Sequence, residues 1–161
     1  MKEMLEKGLD FDDDPLNATG VSRKSLVIFF LIDTSGSMKG TKMGELNTAM
    51  EELLPEIRRI GEADTDVKVA VLTFSTNLAW MYSEPISIED FEWNRLSANG
   101  ITNMGAAFEE LALRLSRNSF LNSPSLSFAP VIFLMTDGYP SDNYKEGLKK
   151  LAANSWYKHG L

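Results

Sequence analysis

The chain has 161 residues, with 16 Lys and Arg against 23 Asp and Glu, and a formal net charge of −7. That length suffices for one domain with a sizeable core, and a hydrophobic content of 43% marks a folding chain rather than a disordered one. The absence of Cys excludes a disulfide scaffold, thiolate zinc sites and cysteine nucleophiles, and the single His excludes a two-His zinc site. The acidic balance, with no basic stripe to neutralise phosphates, argues against a nucleic-acid partner.

Residues 1–23 read as an acidic leader around Asp10, Asp12, Asp13 and Asp14, interrupted by Pro15 and Gly20; the folded domain is expected over residues 24–161. The leader has no apolar core of the kind a signal peptide needs. The longest strongly apolar run, Leu26–Ile32, has 7 residues, whereas a membrane-spanning helix needs about 20. The expectation is a cytoplasmic chain with no membrane partner.

Ser25–Ile32 is continuously apolar and predicts a strand buried on both faces. Leu46, Met50, Leu53, Ile57 and Ile60 then recur at helical spacing, with Pro55 expected to kink the helix or start a second segment. Val67–Ser75 predicts the next strand and Leu78–Tyr82 a third, joined by Thr76-Asn77 as a hairpin. Ser83–Gly100, with Phe91, Trp93 and Leu96, predicts a loop and a short helix. Met104, Phe108, Leu111 and Leu115 predict a helix over about residues 103–117. After a loop, Val131–Thr136 predicts another strand of the Leu26–Ile32 kind, and the remaining residues read as one helix through Leu148, Leu151 and Ala152. This order predicts an α/β fold: a doubly wound, mostly parallel sheet with one antiparallel edge strand and helices on both faces.

Ligands in such sheets bind beyond the carboxyl ends of the strands, and two acidic turns sit at such ends. Asp33-Thr34-Ser35-Gly36-Ser37 places a carboxylate and two hydroxyls at alternate positions of one turn. Asp137 ends the strand Val131–Thr136, and Thr102, in Gly100-Ile101-Thr102-Asn103-Met104-Gly105, lies just before a helix. An all-oxygen set selects a hard cation such as Mg²⁺, Mn²⁺ or Ca²⁺ over zinc or copper; the expectation is Mg²⁺ or Mn²⁺, with Ca²⁺ second. Taken singly, Asp33, Ser35 and Thr102 also suit helix caps, and Asp137-Gly138 suits a turn. Gly36–Lys42 fails the spacing of a phosphate loop, and no GxSxG accompanies the lone His159. Trp80, Trp93 and Trp156 read as packing residues, and Tyr82 and Tyr139 as candidate contacts on the rim of the site.

The combination resembles the von Willebrand factor A, or integrin I-like, domain. That family carries a metal-ion-dependent adhesion site built from a DxSxS loop, a distant Thr and a distant Asp, matched here by Asp33, Ser35, Ser37, Thr102 and Asp137. The resemblance spans roughly residues 24–158. It implies that Ser35, Ser37 and Thr102 touch the metal, that Asp33 and Asp137 act through bound waters, and that a Glu or Asp of a partner protein completes the shell. TFSTNLAWMY, LSANGITNMGAAFEEL and PVIFLMTDGYPSDNY look most like bacterial intracellular members of the TerY type, associated with tellurite resistance and stress operons. This likeness suggests an adaptor rather than an enzyme. The alternatives are a Mg²⁺- or Mn²⁺-dependent phosphoryl-transfer or hydrolytic enzyme, or a scaffold with a vestigial metal site. Relative to the family the chain stops early, lacking the usual last strands. The strand Val131–Thr136 is therefore expected at a sheet edge, covered by the last helix, by a second copy or by another chain.

Overall fold

The computed structural model describes residues 23–61, 64–116, 120–121 and 127–159. The expected leader falls outside these apart from Arg23.

Strand β1 (Lys24–Asp33) is the centre of the sheet because nearly every side chain in it is apolar and can be buried on either face. Phe29, Phe30, Leu31 and Ile32 have no exposed surface. A short 3₁₀ turn (Gly36–Met38) leads into helix α1 (Thr41–Ile60), followed by β2 (Thr65–Phe74), β3 (Leu78–Trp80) and β4 (Ile86–Ser87). Then come α2 (Met104–Ser116), β5 (Val131–Met135), α3 (Tyr144–Ala152) and α4 (Ser155–His159). The strand order is β3-β2-β1-β5, with β4 also on β2. β1 runs parallel to β2 from Lys24 opposite Thr65 to Asp33 opposite Phe74, and parallel to β5 from Ile28 opposite Val131 to Ile32 opposite Met135. β3 and β4 are antiparallel to β2, so the expected antiparallel edge is present but split in two.

The two faces of β1 sort the core. Ile28, Phe30 and Ile32 pack with Met50, Leu54 and Ile57 of α1. Val27, Phe29 and Leu31 pack with Phe108, Leu111 and Leu115 of α2 and Leu151 of α3. Helices therefore cover both faces. Chain order turns back at β1, since β2 lies on one side and β5 on the other. The carboxyl end of β1 is thus the switch point at which such sheets bind ligands.

Several local expectations are corrected. Helix α1 runs through Pro55 as one element; Pro55 and Glu51, whose carbonyl loses its helical donor, both lie on the exposed face, where water can serve that carbonyl. No helix forms between Ile88 and Gly100. There the backbone is satisfied by α1: Arg58 donates to the carbonyls of Ile88 and Phe91, both at 2.9 Å, and buried Asn47 accepts from the Leu96 N–H and donates to its carbonyl. The C-terminal helix is two helices. Asn154 separates them, its Oδ1 accepting the Trp156 N–H at 2.9 Å as a cap. β5 is not buried on both faces: Phe133 and Leu134 are 45% and 43% exposed, because β1 alone pairs with it among the described residues. Helix α3 packs on α2 and shares a groove with Ile132 and Leu134, leaving the outer edge of β5 without a described strand.

Helices α2 and α3 meet at glycines. A Cβ on Gly147 would overlap the Gly105 carbonyl oxygen. Gly147→Ala should therefore lower the unfolding free energy by about 1–3 kcal/mol, the usual cost of overpacking, measured by urea denaturation; unchanged stability would contradict so close a crossing.

Candidate metal centre

Four chain segments converge beyond the carboxyl ends of β1, β2 and β5. The turn after β1 is tied to the loop before α2 by two backbone bonds, Gly36 N–H to the Gly100 carbonyl at 2.8 Å and Asn99 N–H to the Thr34 carbonyl at 2.7 Å. It is tied to β2 by the Thr34 N–H donating to the Phe74 carbonyl at 2.9 Å. The loop before α2 is held against the turn after β2 by Asn103 N–H to the Ser75 carbonyl at 3.1 Å and Ile101 N–H to Thr76 Oγ1 at 3.3 Å. Gly100 makes that approach possible. Its φ of 87° is left-handed, and a Cβ there would collide with Thr76 Oγ1.

The segment after β5 closes the ring. Thr136 Oγ1 donates to Asp33 Oδ2 at 2.7 Å, and Asp33 Oδ1 accepts the Ser35 N–H at 2.8 Å. The Ser35 and Ser37 hydroxyls lie 3.1 Å apart, and Ser37 Oγ donates to Asp137 Oδ1 at 2.8 Å. Asp33, Ser35 and Thr102 are buried and Ser37 is exposed, while Asp137 is an exposed residue whose side chain keeps 16% of its surface, so the rim grades from floor to surface. Thr102 is two residues from Gly100 and fixed by reciprocal bonds to Ser141: its N–H donates to Ser141 Oγ at 3.0 Å and its carbonyl accepts the Ser141 N–H at 2.7 Å. The structure thus brings the Asp33, Thr102 and Asp137 segments to one rim, as the strand-end argument requires.

The single-residue alternatives fare unevenly. Ser35 begins the 3₁₀ turn without a side-chain cap bond. Capping of α2 is performed by Asp142, whose two oxygens accept the N–H groups of Gly105 and Ala106, both at 2.9 Å. Asp33 does fasten its own turn through the Ser35 N–H. Tyr82 is not on the rim; its hydroxyl donates to the Glu92 carbonyl at 2.7 Å and its ring packs edge-on against Phe91. Tyr139, two residues after Asp137, is 93% exposed. Residue-type reasoning missed Thr136, Ser141, Asp142 and Lys42, all of which position the rim. The run from Thr136 to Asp142, in which four of seven residues carry an oxygen-bearing Thr, Asp or Ser side chain, was the available signal.

Electrostatics single out two carboxylates. Lys42 Nζ donates to Asp137 Oδ2 at 2.5 Å, and this bond, with that from Ser37, holds the Asp137 carboxyl below the usual carboxylate range. A depressed carboxyl favours the fold above its ordinary pKa and loses that contribution as pH falls through the lowered value, so the tie persists through neutral pH. Asp33 is different. It has 0% exposure, and among the described residues no ammonium or guanidinium pairs with it. A buried carboxylate is expensive unless paired, hydrogen-bonded or placed next to a metal. Two protein hydrogen bonds leave about half of its four lone-pair positions for other donors.

The donor set fits a hard divalent ion. Three hydroxyls and two carboxylates are all oxygen, and cis oxygens on an ion with bonds of about 2.1 Å stand about 3 Å apart, close to the 3.1 Å between Ser35 and Ser37. No cluster of three or more His, Cys, Asp or Glu occurs among the described residues. Asp142→Ala, which removes the cap of α2 and the anchor of the Thr136–Asp142 loop, should cost about 1–2 kcal/mol in thermal or urea unfolding; an unchanged midpoint would show that the cap carries no weight.

The von Willebrand factor type A domain profile matches residues 28–157. No curated protein matches the chain. Among solved structures, a point mutant of the PilB minor pilin from Streptococcus sanguinis is similar, with 19% identity, a TM-score of 0.55, and coverage of 72% of this chain and 30% of that one. This chain therefore spans less than a third of the pilin's length, and the likeness extends to the fold alone. Domains of this kind are often metal-dependent protein-interaction modules. The mixed, mostly parallel sheet with its helices on both faces and the profile over most of the sequence agree: the chain belongs to the von Willebrand factor type A domain family.

Proposed function

We propose that this domain is a metal-ion-dependent protein-binding module, not an enzyme. Asp33, Ser35, Ser37, Thr102 and Asp137 would hold Mg²⁺ or Mn²⁺, and the partner would contribute a Glu or Asp. The observation that carries this reading is the fully buried Asp33, which no Lys or Arg among the described residues pairs with, at the floor of a hydroxyl-rich rim. When bound, the ion supplies an electrophilic position with an exchangeable water that an outside carboxylate can take. Ser35, Ser37 and Thr102 are neutral, so they leave much of the ionic charge uncompensated and the site receptive to an anion. The rim favours binding over hydrolysis because its two candidate bases are engaged. Asp33 accepts from Ser35 and Thr136, and Asp137 accepts from Ser37 and would itself be among the oxygens that hold the ion. The likeness to TerY-type sequences supports an adaptor role in a bacterial stress-response or signalling system in the cytoplasm; among the described residues no helix is long and apolar enough to cross a membrane.

Mg²⁺ or Mn²⁺ should raise the melting temperature of the wild type, and Asp33→Ala should abolish the rise. Partner capture from the source cell should be lost in EDTA. Capture that survives both EDTA and Asp33→Ala would contradict the proposal.

A second reading is favoured by the exposure of Phe133 and Leu134: pairing of two copies through the β5 edge. It predicts a dimer in sedimentation that persists in EDTA and in Ser35→Ala, Ser37→Ala. A monomer at high concentration would rule it out.

A further inference from the structure

We propose that Lys42 is an internal competitor for the metal: its ammonium holds Asp137 when the ion is absent and has to leave when the ion enters. This inference rests on the metal-binding reading above. Both oxygens of Asp137 are engaged, Oδ1 by the Ser37 hydroxyl at 2.8 Å and Oδ2 by Lys42 at 2.5 Å. One carboxylate at the edge of the rim cannot serve an ammonium and a nearby divalent ion equally, because the two cations repel each other.

The position of Lys42 is itself unusual. It lies in the first turn of α1, where the helix dipole disfavours a cation, and that turn carries no acidic residue and no side-chain cap. Among the described residues Asp137 is the ion-pair partner that holds Lys42 there. The pair is also easy to open. The Lys42 side chain is 58% exposed and that of Asp137 16%, so the lysine swings outward without disturbing the core. Beside it lies an open groove of about 450 Å³ lined by Met38, Leu46, Met50, Leu134 and Met135, along which its methylene stem can lie with the ammonium in water.

The consequence is a threshold. The wild-type site binds a divalent ion more weakly than its oxygen set alone would allow, and the metal-free rim is kept intact by the lysine. Lys42→Met removes the competitor and keeps the stem. Mg²⁺ and Mn²⁺ should bind Lys42→Met about 1.4- to fivefold more tightly in isothermal titration, the factor to which the worth of an exposed ion pair, about 0.2–1 kcal/mol, converts. Lys42→Arg should stay near the wild type. In the absence of metal, Lys42→Met should melt slightly below the wild type, and added Mn²⁺ should raise its melting temperature by more. Circular dichroism and a second variant, Lys42→Gln, control for folding. Equal affinity in wild type and Lys42→Met, or weaker binding by the variant, overturns the competitor role while leaving the metal site standing. Absence of metal binding in every protein, wild type included, overturns both this inference and the reading on which it rests.

Discussion

A carboxyl group with no exposed surface ends the central strand, and the arrangement of the rim follows from it. Asp33 closes a run of apolar residues whose burial fixes β1 between β2 and β5. Burial at that point demands hydrogen-bond donors, and they come from the turn that follows Asp33 and from the segment that the sheet brings alongside it. The Ser35 N–H is supplied by the turn itself. The Thr136 hydroxyl comes from the residue just past β5, whose register against β1 carries Met135 opposite Ile32 and so delivers the next residue to Asp33. The same parallel registration that builds the core therefore assembles the site. Ser37 and Asp137 then meet as a consequence, 100 residues apart in sequence and 2.8 Å apart in space.

The sequence made this part of the molecule legible because its signals are local and redundant. An apolar run such as Leu26–Ile32 has one stable use in a chain of this composition, and the oxygen-bearing residues stand directly at the ends of such runs. Helical spacing at Met104, Phe108, Leu111 and Leu115 located α2 to within a residue at each end. Features that depend on distant partners were not legible. The stretch with Phe91, Trp93 and Leu96 reads as a loop and a short helix, yet Asn47 and Arg58 of α1 reach across to the backbone of Ile88, Phe91 and Leu96, and no helix forms. Val131–Met135 reads like β1, but apolar content cannot tell a central strand from one flanked on a single side. Lys42 was invisible as a functional residue because its meaning comes from Asp137, 95 positions away. Asp142 was overlooked for the same reason, since the helix it caps begins 38 residues earlier.

Charge balance connects the buried and exposed halves of the rim. Among the described residues, the floor holds an acid without a counter-cation, and the outer edge holds an acid paired with a lysine whose side chain is 58% exposed. A divalent ion placed between them would satisfy the first and displace the partner of the second. Neutral hydroxyls between the two acids give such an ion ligands without cancelling its charge, which is the property a protein-binding module requires and a structural metal site does not. The pilin likeness, at 19% identity, shares the framework and leaves the chemistry of this rim to its own residues.

Paramagnetic broadening of backbone amides by substoichiometric Mn²⁺ tests the central claim most directly, because it locates the ion without reference to any partner. The account predicts selective loss of amide signals from residues 33–38, 100–103 and 136–142, reversed by excess Mg²⁺. Broadening centred instead on the acidic leader around Asp10–Asp14, or no selective broadening at all, would contradict it.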